Sequence, residues 1–152
     1  MNYEELDFDK AIEDANKIIL LGSAVKIGLF LSLTNKKDIS SLARELAADE
    51  RALYIVLEAL CAIGYVEKEK DSYVISDLAR PLFIEGSKDY VGGYLPHTLN
   101  KFNAWLELPQ IIKGEKTGRR KLDNTSVFMN AMACVPEEDV KEIVSNCLDK
   151  KK

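Results

Sequence analysis

The strongest constraint on the fold is the segment 24–33, which is predicted to be a helix with apolar residues on nearly every side and Ser23 as its N-cap. A domain of this size has little room to bury one helix all round, so packing against a second copy would cover the remaining face. The pattern therefore favours a symmetric homodimer, and the alternative left open is a central helix wrapped by its own chain. The candidate dimer-interface residues, from this segment and the helix before it, are Ile18, Leu21, Val25, Leu29 and Phe30.

Composition narrows the class of protein. Of the 152 residues, 47% are hydrophobic and 30% are charged, which is enough apolar material for one ordered domain. The net charge of -4 supplies no general attraction for nucleic acid or an anionic membrane. A single histidine, His97, and three cysteines without a CxxC pair argue against a metal site and fit a reducing compartment. The apolar stretch 18–33 is slightly short for a membrane span and contains Lys26, so we expect a soluble cytoplasmic protein.

Hydrophobic periodicity predicts a mainly α fold with a small β-hairpin. Predicted helices lie at 8–21, 39–46, 50–63, 77–84, 90–112, 126–134 and 137–149, and predicted strands at 65–69 and 73–76. Asp38 and Asp49 are placed to cap two of these helices, and Gly64 to end the second. Two helices followed by a hairpin are typical of a winged helix-turn-helix. The predicted domains are N-terminal dimerisation helices at 1–37, a winged-helix domain at 38–84 and a helical extension at 85–152 that adds C-terminal dimerisation helices.

A winged helix raises the question of DNA binding, because its second helix normally enters the major groove. Here that helix would be 50–63, and its outward side carries Glu50 and Glu58, with Arg51 as the only cation. Carboxylates repel phosphates, whose contacts supply most of the affinity for DNA. A winged-helix transcriptional regulator is therefore only the alternative, and we expect no nucleic-acid partner. The basic loop 113–121 is predicted to be a solvated connector.

Aromatic residues gather around the single histidine in the predicted helix 90–112. They form either the wall of a small-molecule pocket or a packed helix with rings at its edge. The pocket candidates from this helix are Tyr94, His97, Phe102 and Trp105. No partner residue is placed to orient His97 for catalysis, and no strand leads into a GxGxxG or GK[ST] turn. We therefore assign no catalytic residue, no cofactor-binding residue and no metal ligand.

Several segments, taken in order, resemble the N-terminal part of SAM-dependent small-molecule O-methyltransferases. The segment AVKIGLFLSL at 24–33 resembles their opening helix, and SLARELA at 41–47 is similar to the helix after it. RALYIVLEALCAIGYV at 51–66 and SYVISDLAR at 72–80 resemble the next helix and the hairpin. FMNAM at 128–132 is similar to a later F..AM segment.

The resemblance implies a homodimer with intertwined N-terminal helices and a winged helix that serves as a scaffold. In that family a Rossmann-type domain follows and holds SAM on a D-x-G-x-G turn, and this sequence stops at Lys152, about where that turn would begin. The chain is therefore predicted to be a non-catalytic dimerisation and substrate-lid domain, with SAM implied only for a missing catalytic domain. Its expected partners are a second copy and a separate SAM-binding domain or a small apolar ligand. The resemblance carries over, as pocket-lining residues, Trp105, Phe128, Met129 and Met132.

Overall fold

The computed structural model describes residues 6–115, 125–135 and 137–149. Over these residues the fold is mainly helical with one small antiparallel sheet, which confirms the predicted mainly α class. The helices are α1 (Phe8–Lys26), α2 (Leu29–Ser32), α3 (Ile39–Leu46), α4 (Glu50–Ala62), α5 (Arg80–Phe83), α6 (Tyr94–Trp105), α7 (Leu108–Ile112), α8 (Thr125–Ala133) and α9 (Glu137–Asp149). The strands are β1 (Lys37–Asp38), β2 (Val66–Glu69) and β3 (Ser72–Ile75). Positions 116–121 of the basic loop lie outside the described residues.

Three helices begin at an aspartate that accepts a hydrogen bond from the first turn. Asp38 accepts from the Ser41 amide at 2.8 Å and begins α3. Asp49 accepts from the Ala52 amide, also at 2.8 Å, and begins α4. Asp7 does the same for α1. Each cap satisfies an N–H group that the helix leaves unpaired, and both aspartate caps predicted from the sequence are confirmed.

The predicted helix start at Ser23 is wrong. Ser23 lies inside α1, because its carbonyl oxygen accepts the Ile27 amide at 3.2 Å. The chain breaks instead at Gly28, whose φ of 76° belongs to the left-handed region that glycine adopts without a steric penalty. The short helix α2 follows this break. The new direction of the chain turns Leu29 and Phe30 into the core of the same protomer.

The sheet has the order β1-β3-β2. The predicted hairpin is confirmed, with Val66 opposite Ile75 and a tight turn at Lys70, whose φ is 55°. The strand β1, in which Lys37 pairs with Tyr73, was not predicted from the sequence. A strand of two residues is too short to show the alternation by which strands are recognised.

The core lies between α2, α3, α4 and the inner face of the sheet. Its fully buried leucines are Leu29, Leu33, Leu42, Leu57 and Leu60. Burial of each such side chain contributes about 1.5–3 kcal/mol. Val66, Tyr73 and Ile75 point inward from the hairpin, as the burial of one sheet face requires. The ring of Phe30 stacks on that of Phe83 at 4.2 Å between centroids, which attaches α5 to α2.

Helix α6 positions the candidate site, since it packs against both α1 and α8. The predicted segment 90–112 contains two helices, α6 and α7, separated by a turn at Leu106. Pro96 and Pro109 lie in the first turns of these helices, where a missing N–H breaks no helical hydrogen bond. Helices α8 and α9 match their predicted bounds to within one residue.

Candidate functional site

The contact between α6 and α8 brings together two of the predicted pocket residues. His97 of α6 and Phe128 of α8 meet edge to face, with 5.7 Å between ring centroids. Met132 lies one turn beyond Phe128 on the same side of α8, and both side chains are exposed. Met129 is exposed on α8, and Tyr94 is exposed at the start of α6. The contact therefore places an imidazole beside a phenyl ring, with the thioether of Met132 one turn along α8.

A close approach at Gly93 fixes how α8 sits on α6. A Cβ atom at this position would lie 2.7 Å from the Asn130 carbonyl oxygen and 3.0 Å from Cys134 Sγ. The backbone of Gly93 is ordinary right-handed helix, with φ of -69°, so glycine is needed here for space alone. The absence of a side chain therefore sets the distance between the two helices, and with it the contact of His97 with Phe128.

Phe102 and Trp105 lie in a different place, an open groove of about 470 Å³ between α1 and α6. Its walls also include Ile19 of α1 and Leu106. The structure thus divides the predicted pocket residues between two surfaces rather than one cavity. Ile19 and Leu106 were not predicted as groove residues. Ile19 is one of the regularly spaced apolar residues from which the helix α1 was predicted.

His97 is half-buried and has no side-chain hydrogen bond to any residue in the described part of the chain. A histidine that acts as an acid or base needs such an orienting partner, so these residues present no catalytic pair.

The described residues also contain no group of three or more His, Cys, Asp or Glu side chains arranged for a metal ion. Within the same residues, β1, β2 and β3 are short and none leads through a glycine-rich turn into a helix. This arrangement does not fit a SAM site of the Rossmann type.

The candidate dimer-interface residues separate into two groups. Leu21, Leu29 and Phe30 are buried inside the single protomer, whereas Ile18 and Val25 are half-buried. The bend at Gly28 lets the chain enclose Leu29 and Phe30, whereas Ile27 and Leu31 of the same segment remain exposed. The all-round apolar helix, from which the homodimer was inferred, is absent.

A different apolar surface is open on α1. Phe8, Ile12 and Ile19 are exposed along one side of this helix. Trp105, 68% exposed, extends the same surface across the groove to the end of α6. Exposed apolar side chains gathered on one side of a helix are typical of surfaces at which proteins make contacts.

Paired charges lie where α4 meets the hairpin. Glu58 Oε1 accepts hydrogen bonds from Lys68 Nζ at 2.6 Å and from the Tyr73 hydroxyl at 2.8 Å. Lys68 Nζ also lies 5.3 Å from the ring centroids of Tyr54 and Tyr73. Hydrogen bonding to Glu58 raises the pKa of Lys68, and the same bond lowers the pKa of Glu58. A nucleic-acid phosphate would have to compete with this carboxylate for the lysine.

Lysines at the edge of the sheet are paired in the same way. Lys37 forms an ion pair with Glu45 at 2.5 Å, and Lys36 forms one with Glu69. The carboxylates in these pairs occupy lysines that, on a DNA-binding surface, would contact phosphates. The described part of the chain contains no helix long and apolar enough to cross a membrane.

Comparison with solved structures places this fold among O-methyltransferase chains. An O-methyltransferase family protein from Burkholderia thailandensis matches 95% of this chain and 46% of its own, with a TM-score of 0.68 and 22% identity. A putative O-methyltransferase from Nostoc punctiforme matches 95% of this chain and 47% of its own, with a TM-score of 0.59 and 19% identity. Human N-acetylserotonin methyltransferase, solved with SAM, matches 89% of this chain and 47% of its own, with a TM-score of 0.62 and 15% identity.

At these identities the likeness shows a shared fold. The chain spans less than half the length of the methyltransferases that it matches. No protein-family model matches the sequence, and no curated protein matches it either.

Proposed function

We propose that this chain is a non-catalytic dimerisation and substrate-lid domain of the SAM-dependent O-methyltransferase type. The main support is the extent of the structural match. The match with the Burkholderia thailandensis protein covers 95% of this chain but only 46% of that protein. The shared fold therefore corresponds to one domain of those enzymes. SAM would bind in a second domain, either continuous with these residues or in a separate chain, and that domain would transfer the methyl group.

The proposal includes a winged helix that serves as a scaffold. The order α2, β1, α3, α4, β2, β3 and the antiparallel sheet support it, because a winged helix combines these elements in this order. In such a fold α4 would be the helix that reads DNA. Glu58 of this helix is bonded to Lys68, so this lysine already has a carboxylate partner and is not free to bind a phosphate. A scaffold therefore explains the charges better than a transcriptional regulator does.

The dimerisation role rests on the exposed side of α1. Phe8, Ile12 and Ile19 continue into the groove that Trp105 lines, and a second copy would remove this apolar surface from water. A twofold axis would place the same residues of both copies in one self-complementary contact. This surface replaces the buried candidates Leu21, Leu29 and Phe30 as the proposed interface.

The lid role rests on the α6–α8 surface. His97, Phe128 and Met132 present rings and a flexible thioether on one open face. A catalytic domain packed nearby would close this face into a pocket for a small apolar acceptor. The proposed contribution of these residues is to bind and orient the acceptor and to exclude water, since the described residues provide no acid-base pair.

Sedimentation velocity of the purified chain tests the dimer. We expect a dimer at micromolar concentration, and Ile12→Glu should weaken it at least about ten-fold, because the interface would have to bury a carboxylate. Asn103→Glu is the matched control, since it adds the same charge to an exposed polar position of α6 that does not line the groove. A parent protein that sediments as a monomer throughout the micromolar range would refute the dimerisation role.

Two binding measurements test the rest of the proposal. Calorimetric titration with SAM should give no heat of binding to this chain alone, and tight SAM binding would overturn the assignment of the cofactor to another domain. A gel shift with duplex DNA at low salt should show no complex. Salt-sensitive binding of the duplex would favour the regulator over the scaffold.

A further inference from the structure

A cavity of about 420 Å³ lies away from both surfaces already described, between the end of α1, α2, α5 and the chain that follows α5. Three aromatic residues contribute to its lining, namely Phe30, Phe83 and Tyr90. The first two are mostly buried and stacked on each other, so they form a rigid floor. The volume is within the range of small-molecule sites.

The rest of the lining is apolar with one exception. Val25, Leu31 and Ile84 surround the aromatic floor, and Leu31 stands at the mouth with 68% of its surface exposed. The exception is Glu85, which is the only charged residue in the lining. The cavity therefore combines an apolar interior with one carboxylate at its edge.

The carboxylate of Glu85 has no cationic partner among the residues that the structure describes. Its charge acts on the nearest polar group of the cavity: burial, and then the negative charge of Glu85, raises the pKa of Tyr90. The hydroxyl of Tyr90 is also hydrogen-bonded to Glu85, so the two polar groups share one edge of the cavity. Negative charge and aromatic rings favour the same kind of guest, because both attract cations.

We propose that this cavity binds a small organic ammonium ion with an alkyl or aryl body. The ammonium group would pair with Glu85 at the edge, and the apolar body would pack between Leu31 and the floor formed by Phe30 and Phe83. An anionic guest would be repelled by this carboxylate, and a neutral guest would gain only the apolar contact. The inference concerns a separate site and does not depend on the proposed methyltransferase role.

The test compares three probes that share a phenyl ring and a short linker: 2-phenylethylammonium, 2-phenylethanol and 3-phenylpropanoate. Each is titrated into the uniformly ¹⁵N-labelled full chain near neutral pH while amide chemical shifts are followed. We expect the ammonium ion to bind most tightly, the alcohol more weakly and the carboxylate not at all. The shifts should centre on Leu31 and on Glu85, and shifts centred on the groove at Trp105 would contradict the proposal.

Substitutions then separate the contribution of the Glu85 charge from non-specific apolar binding. Glu85→Gln should weaken binding of the ammonium ion about three-fold, as expected for a partly solvated ion pair, and remove its advantage over the alcohol. Asp89→Asn is the matched control, because this exposed carboxylate lies outside the cavity lining, and it should leave binding unchanged. Leu31→Trp, at an exposed position that the fold does not depend on, should fill the mouth and abolish binding of both probes.

Three results would overturn the inference. One is the absence of saturable binding of the ammonium ion at millimolar concentration, and another is equal binding of the carboxylate probe. The third is an ammonium affinity that survives Glu85→Gln unchanged. Thermal unfolding of each variant, followed by circular dichroism, shows that a loss of binding does not come from loss of the fold.

Discussion

Substitution of Gly93 by alanine isolates the contact that holds α8 on α6. The backbone of Gly93 has φ of -69° and ψ of -25°, which alanine adopts freely, so no backbone strain enters. The added methyl carbon, however, would lie 2.7 Å from the carbonyl oxygen of Asn130, which is part of the α8 backbone. A backbone atom cannot rotate away as a side-chain end can. The helices must therefore separate by several tenths of an ångström or the contact must open.

The magnitude follows from two opposing effects. Overpacking of this kind costs about 1–3 kcal/mol. Alanine also restricts the unfolded chain relative to glycine, which returns about 0.4–1 kcal/mol. We therefore expect Gly93→Ala to lower the free energy of unfolding by about 1–2 kcal/mol as the difference of these two effects. Urea denaturation followed by circular dichroism measures this change.

A local readout distinguishes the mechanism. If the α6–α8 contact opens, the NMR signals of His97 and Phe128 should lose the ring-current shifts of their 5.7 Å edge-to-face contact. Asn103→Ala is the control, because it changes an exposed residue of the same helix and touches neither partner. A Gly93→Ala protein that is as stable as the parent and keeps those ring-current shifts would refute the reasoning from close approach.

Three further substitutions test the core, a helix cap and the charged cluster. Leu57→Ala should destabilise the fold by about 2–5 kcal/mol in urea denaturation, because the side chain is fully buried, whereas Ile55→Ala on the exposed side of α4 should change little. Asp49→Ala removes the cap of α4 and should cost about 1 kcal/mol in the same assay. Glu58→Gln should lower the melting temperature at neutral pH, since the folded protein holds the pKa of Glu58 below its ordinary value through Lys68. That stabilisation is present above the unfolded pKa of about 4.3 and is lost as pH falls through the folded pKa, so the parent and the variant should converge in acid; a difference that persists there would contradict the assignment.

Local signals in the sequence predicted much of the fold, because they depend on neighbouring residues alone. Asp38 and Asp49 cap their helices as expected, since an N-cap needs only the amides of the next turn. The same local reasoning gave a wrong helix start at Ser23. Serine is a common N-cap residue, but here the apolar residues on both sides of it continue one helix. The break fell at Gly28, where glycine was available to adopt a left-handed conformation.

The candidate site was less predictable because it depends on how distant helices meet. Nearness in sequence grouped His97 with Trp105, but these residues lie on two surfaces of α6, one toward α8 and one toward α1. The contact of His97 with Phe128 requires the close approach at Gly93, which no local pattern encodes. The cavity beside Glu85 was missed for a similar reason, since its walls come from α1, α2 and α5.

The revised position of the apolar surface changes the physical basis of the proposed dimer. Leu29 and Phe30 are buried by their own chain and make no demand for a partner, although Leu31 between them and the end of the same helix is exposed. The exposed stripe of α1 does make that demand, because Phe8 and Ile12 are large, apolar and open to water in the single protomer. Residues that hold the protomer together and residues that could join two protomers are therefore different sets. A substitution at Ile12 can consequently separate association from folding, which a substitution at Phe30 could not do.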